Sequence, residues 1–210
     1  MAVNPNTRHD NRHAIYIGCS GSGKTQALKQ NPHLKKAKRV LLWDIDQDHK
    51  AVRFESRAAY ARALLSALKS GKGFRLAYSG ADTNANFEWF CRLAWAALDG
   101  DKETVVVVEE LADVSPSVAK ATPEFGRILR KSRKFGGVLL MTSQRGQEIP
   151  KTAYNQVSAT YVGQQKGGDI AKVAKDLGLP VDAVAGLQKL TFWMVTQGAD
   201  APKRLKITPK

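Results

Sequence analysis

Along the chain, short apolar runs alternate with stretches of helical periodicity. His13 leads into the run Ala14-Ile15-Tyr16-Ile17, which predicts a first strand. Val40-Leu41-Leu42-Trp43-Asp44-Ile45 predicts a second, ending among the acids Asp44, Asp46 and Asp48. Short, unbroken apolar runs of this kind mark parallel strands covered on both faces. Ser56 reads as the N-cap of a helix over 57–70, with Tyr60, Leu64 and Leu68 on one face and Gly71 as its stop. Phe74–Tyr78 predicts a short strand. Residues 84–98 carry Phe87, Phe90, Cys91, Ala94 and Leu98 at helical spacing, and Trp89 and Trp95 read as packing residues rather than a base-stacking platform.

The second half repeats the alternation. Thr104-Val105-Val106-Val107-Val108 predicts a central strand, since consecutive β-branched residues suit a pleated surface buried on both sides. Thr122-Pro123-Glu124 opens a helix, with proline at its first position, that runs to about Phe135 and stops at Gly136-Gly137. Val138–Thr142 is a further central strand and Ala159–Val162 another. Gly167–Leu177 and Val181–Leu187 read as short helices around Pro180, and Leu190–Val195 as a last strand. Strand and helix in turn predict an α/β domain with a mostly parallel sheet. Its limits are set at 13–198, between a basic N-terminal arm (1–12, mobile or a subunit contact) and a basic, irregular tail (199–210) with Lys203, Arg204, Lys206 and Lys210.

Against this frame, Gly18-Cys19-Ser20-Gly21-Ser22-Gly23-Lys24-Thr25 fits G-x-x-x-x-G-K-[ST], directly after a strand and before the helical stretch that starts at Gln26. That context makes it a phosphate-binding loop. The backbone N–H groups of Gly18, Ser20, Gly21, Ser22, Gly23 and Gln26 can converge on β- and γ-phosphates, Lys24 adds a point charge, and the Thr25 hydroxyl completes a Mg²⁺ shell. Glu109 and Glu110 end the valine strand, on the ligand side of such a sheet. We assign Glu109 to the metal and Glu110 to the attacking water. Gln144, after the Val138–Thr142 strand, is placed to orient that water and sense hydrolysis.

Charge adds a partner class. Thirty-three Lys and Arg against nineteen Asp and Glu leave +14, a field that favours a polyanion, nucleic acid before an anionic membrane. Arg127, Arg130, Lys131 and Lys134 line one stripe of a helix, readable as a solvated face, a DNA or subunit surface, or the source of an arginine finger. The four histidines show no metal-ligand spacing and read as solvated or incidental. Two cysteines give no disulfide framework, and with Cys19 in the phosphate loop a reducing cytoplasm is expected. No apolar run approaches 18 residues, so no membrane span is expected.

The succession of glycine loop, valine strand into Glu109-Glu110, Arg-rich helix ending Arg133-Lys134-Phe135-Gly136-Gly137, and strand into Thr142-Ser143-Gln144-Arg145 resembles the FtsK/HerA superfamily of DNA-pumping ATPases. For a basic chain of this size the resemblance is to the genome-packaging ATPases of tailless, internal-membrane icosahedral phages. It implies a RecA-like P-loop fold, ATP and Mg²⁺ as cofactors, double-stranded DNA as cargo, and a homo-oligomeric ring, a hexamer, working with capsid vertex proteins in the host cytoplasm or at the virion vertex. It also implies Arg133, or in second place Arg130, as an arginine acting on a neighbouring subunit's nucleotide. The family usually carries Asp-Glu where this chain has Glu109-Glu110. The rival readings are a conjugation or phage-extrusion ATPase, a small-molecule P-loop kinase, and a non-motor DNA-binding vertex protein.

Overall fold

The computed structural model describes residues 1–209, so the predicted tail residue Lys210 lies outside the described residues. The elements follow in the order β1 (Ala14–Ile17), α1 (Lys24–Lys29), α2 (Pro32–Lys36), β2 (Arg39–Trp43), β3 (Val52–Phe54), α3 (Arg57–Ser70), β4 (Phe74–Tyr78), α4 (Asn84–Ala96) and β5 (Thr104–Val108). After them come α5 (Pro123–Lys131), β6 (Gly137–Ser143), α6 (Lys151–Gln156), β7 (Ala159–Val162), α7 (Asp169–Leu177), α8 (Val181–Ala185), β8 (Thr191–Thr196) and β9 (Lys203–Lys206).

The strands form one sheet in the order β3-β4-β2-β5-β6-β1-β7-β8-β9. Pairing is parallel from β3 to β7 and antiparallel at β7–β8 and β8–β9. Strand β6 lies between β1 and β5, the arrangement expected of a RecA-like sheet. Because β1, β2, β5 and β6 are parallel, their carboxyl ends open on one edge, where a ligand of an open α/β sheet sits.

The apolar runs split between two layers as strand alternation requires. Ile15, Ile17, Leu41, Trp43, Val106, Val108, Leu139 and Met141 face Tyr60 and Leu64 of α3, Phe87 and Phe90 of α4, and Phe125 and Ile128 of α5. Ala14, Tyr16, Val40, Leu42, Val105, Val107, Val138 and Leu140 face Leu28 of α1, Leu34 of α2 and Phe192 of β8. The β5 valines are at most 1% exposed; each contributes about 1.5–3 kcal/mol of burial. Trp89 packs against Tyr78 and Tyr60, and Trp95 against Phe135, so both serve the core.

Three expectations change. The helix expected to reach Phe135 leaves α geometry after Lys131 and continues as a 3₁₀ turn over Ser132–Phe135. The tail expected to be irregular contains β9, which pairs with β8 through Thr191↔Lys206 and Phe192↔Leu205. Its alternating Lys-Arg-Leu-Lys is polar enough to hide a strand, and the pairing comes from backbone bonds and Phe192. The N-terminal arm is packed rather than loose: Val3 N donates to Leu98 O at 3.3 Å, Asn6 N to Lys134 O at 2.6 Å, and Arg12 pairs with Glu103 at 2.6 Å.

Candidate functional site

The phosphate loop springs from the carboxyl end of β1 and is anchored to both neighbouring strands. Gly18 N donates to Ser143 O of β6 (3.2 Å), and Cys19 N to Gln164 O beyond β7 (2.8 Å). Gly21 (φ 78°) and Gly23 (φ 99°) are left-handed, conformations that glycine adopts without a Cβ penalty. At Gly23 there is a second requirement: a Cβ would stand 2.5 Å from Leu190 Cδ2. Leu190, itself at φ 62°, is docked on the loop by Leu190 N donating to Ser22 O at 2.9 Å. Ser22 is fully buried.

A cleft of about 480 Å³ opens above the loop. It is lined by Ser20, Gly21, Gly23, Lys24, Thr25 and Gln26 and by Asp46, Asp48, Glu110 and Gln144. Lys189 and Leu190 close it from the β8 side. Gln144 is exposed at its mouth.

The two glutamates after β5 have different partners. Glu109 is 6% exposed and held on both oxygens: His49 Nε2 donates to Oε1 (2.5 Å), and Thr142 Oγ1 donates to Oε2 (2.6 Å). Thr25 Oγ1 lies 3.4 Å from the same Oε2. Glu110 adopts φ 47°, a left-handed turn that costs a non-glycine residue about 1–2 kcal/mol. Glu110 N donates to Thr142 Oγ1 at 2.9 Å, so one hydroxyl on β6 fixes both acids. The turn carries the Glu110 carboxylate to 3.3 Å from Lys24 Nζ. Burial raises the Glu110 carboxyl above its ordinary value; Lys24 opposes this, and Glu109 and Asp113 add to it.

The donor set fits a magnesium ion. Thr25 and Glu109 offer neighbouring oxygens, and Mg²⁺ takes one or two protein oxygens with waters and substrate phosphates rather than a full protein cage. Among the described residues no group of three or more His, Cys, Asp or Glu forms such a cage.

Two histidines correct the sequence reading. His49 and His13 are 4% and 1% exposed and both are engaged, not solvated. His49 arrives on the β2–β3 loop, whose fold is set by Asp44: its carboxylate accepts from Asp48 N (2.9 Å) and His49 N (3.1 Å). Only the acid at the end of an apolar run hinted at this loop. Thr142 likewise carries no local signal, because its two partners lie on another strand.

Arg130 and Arg133 are exposed and do not line the cleft. They precede β6, whereas the cleft lies beyond its carboxyl end. Arg133 NH1 donates to His9 O (2.5 Å) and Thr7 O (3.4 Å) of the N-terminal arm. Arg127 pairs with Glu124 at 3.0 Å.

No family model matches the chain. Protein P9 of Pseudoalteromonas phage PM2 is 38% identical over 154 residues, covering 73% of this chain and 68% of the phage protein. Among solved structures, the genome packaging NTPase B204 from Sulfolobus turreted icosahedral virus 2, in complex with AMPPCP, superposes with a TM-score of 0.76 at 18% identity, over 95% of this chain and 99% of that one. The bacterial conjugative coupling protein TrwBdeltaN70 gives 0.65 at 12% identity, over 95% and 85%. VirB4 of Thermoanaerobacter pseudethanolicus gives 0.63 at 12%, over 95% and 90%. Among the described residues no helix is long and apolar enough to cross a membrane. With the phosphate loop, the Glu109-Glu110 turn and the sheet order in place, the chain belongs to the family of phage PM2 protein P9 and shares its fold with the genome packaging NTPase B204.

Proposed function

We propose that the chain is a Mg²⁺-dependent ATPase whose hydrolysis drives double-stranded DNA through a homo-oligomeric ring, packaging a viral genome into a preformed capsid. The observation that carries the reading is that Lys24, Thr25, Glu110 and Gln144 line one cleft, with Glu110 beside Lys24 and Glu109 buried behind Thr25. B204, a genome packaging NTPase solved in complex with AMPPCP, supports the same reading for this relative in fold.

The loop amides from Gly18 to Gln26 and Lys24 bind the β- and γ-phosphates. Thr25 and Glu109 would hold Mg²⁺, which when bound neutralises charge developing on the phosphoryl oxygens. Glu110 accepts the proton of the attacking water, and Gln144 orients that water. Arg133, or Arg130, contributes charge to a neighbour's cleft. DNA is gripped through its phosphates by the excess of Lys and Arg, independent of sequence, as a motor requires. The place of work is the host cytoplasm, with the virion vertex as the docking point.

The test is ATP turnover by the full chain with and without linear double-stranded DNA. Stimulation by DNA that is abolished in Glu110→Gln supports the motor. Turnover that ignores DNA and transfers phosphate to a small acceptor supports a P-loop kinase instead.

A further inference from the structure

The β2–β3 loop enters the site twice, and the second entry has no counterpart in the motifs. Asp46 and Asp48 line the nucleotide cleft from this loop, while His49 turns inward to Glu109. The loop is rigidly folded for that purpose. Asp44, fully buried, accepts from two of its amides; Gln47 is left-handed at φ 60°. Arg53 of β3 then ties Asp44 (3.3 Å), Gln47 O (2.8 Å) and His49 O into one unit.

The geometry points to His49 as a positioning residue for the metal-holding carboxylate, an inference that rests on the reading of Glu109 as the Mg²⁺-shell acid. Glutamate carries one more rotatable bond than aspartate, and a long side chain left free presents its oxygens in many places. Here the extra freedom is removed from both ends of the carboxylate. His49 Nε2–H fixes Oε1 at 2.5 Å and Thr142 fixes Oε2 at 2.6 Å, so Oε2 is kept on the side of Thr25. A buried polar pair of this kind costs desolvation unless its hydrogen bonds are made. Partners that orient a metal ligand in this way, without touching the metal, typically govern affinity by about 10–100-fold.

The experiment titrates Mn²⁺ into the full chain saturated with AMPPCP, reading free Mn²⁺ by its EPR signal, for the native chain, His49→Ala, His49→Gln, Glu109→Gln and the double variant His49→Ala with Glu109→Gln. Metal-free AMPPCP binding is measured alongside. The expected result is a loss of about 10–100-fold in Mn²⁺ affinity for His49→Ala, with metal-free nucleotide binding unchanged. His49→Gln, whose amide nitrogen reaches the position of the imidazole Nε2, recovers most of it. The double variant binds no more weakly than Glu109→Gln, because His49 acts only through Glu109. Should His49→Ala melt too low to titrate, His49→Asn takes its place, since its shorter amide cannot reach Glu109. Native Mn²⁺ affinity in His49→Ala or His49→Asn, with Glu109→Gln weakened, overturns the inference and leaves the metal reading intact. Native affinity in Glu109→Gln overturns both.

Discussion

Lys24 Nζ lies 3.3 Å from Glu110 Oε1, so the lysine proposed to bind the phosphates and the glutamate proposed as the base are partners of each other. A γ-phosphate that takes Lys24 competes with Glu110 for it, and the carboxylate is set free towards the water it is to activate. Glu110→Gln removes that competition. The expected outcome is ATP binding as tight as the native chain's or tighter, with turnover lower by about 10²–10⁴-fold, the worth of a general base. Equilibrium binding and single-turnover hydrolysis on the same preparation check it.

Thr142 joins the two acids, bonding the Glu109 carboxylate at 2.6 Å and receiving Glu110 N at 2.9 Å. Thr142→Val keeps the shape and removes the hydroxyl. A hydrogen bond to a charged group is worth about 1.5–3 kcal/mol of stability, so the melting temperature is expected to fall by roughly 2–4 °C per kcal/mol, and kcat, measured well below it, to fall as the two acids lose their shared anchor. Steady-state kinetics beside a thermal melt separate the two effects.

His13 supplies a pH dependence of stability. Its ring, 1% exposed, sits between Ser132 Oγ and Leu139 N, at 3.2 Å from each. Burial first, and the charge of Arg133 second, push its pKa down from 6.5 to about 4. The folded value is depressed, so the contribution is fully present above the unfolded value of 6.5 and is lost as pH falls from there towards 4. The loss amounts to about 3 kcal/mol. Denaturant unfolding between those limits should show it in the native chain and a flatter profile in His13→Gln.

The arginine predictions separate two candidates. Arg133 is held by the arm carbonyls of His9 and Thr7, and a role in a neighbour's cleft requires it to leave them. Arg133→Ala should leave nucleotide binding unchanged and lower hydrolysis in the assembled ring by about 10³-fold or more. Mixing with Glu110→Gln subunits, which lack the base but keep the arginine, should restore turnover. If Arg130→Ala shows this behaviour and Arg133→Ala does not, the assignment moves to Arg130.

Binding to DNA should be dominated by phosphate contacts. Affinity for unrelated duplexes of equal length is expected to be alike and to fall steeply with salt, by about 10³-fold or more between 50 and 200 mM if six or more phosphates are neutralised. A fluorescence anisotropy series over salt reads the slope; a flat slope would remove nucleic acid as the partner.

Much of the molecule was determined by sequence alone, wherever the cause is local. The loop Gly18–Thr25 needs glycine at left-handed positions, the valines of β5 cover two faces at once, and the acids at 109–110 must follow a strand. These depend on neighbours in the chain, and each was found where it was predicted. Tertiary structure decided what depends on partners distant in sequence. The start of α5 is capped by Glu88 of α4, which accepts from Thr122 Oγ1, Glu124 N and Phe125 N, instead of by the threonine itself. The basic tail becomes a strand because β8 presents a free edge. His49 has no periodicity or motif to betray it. Only when β2 and β5 pair side by side, with Trp43 opposite Val108, does the loop after one strand come within hydrogen-bond reach of the acid after the other.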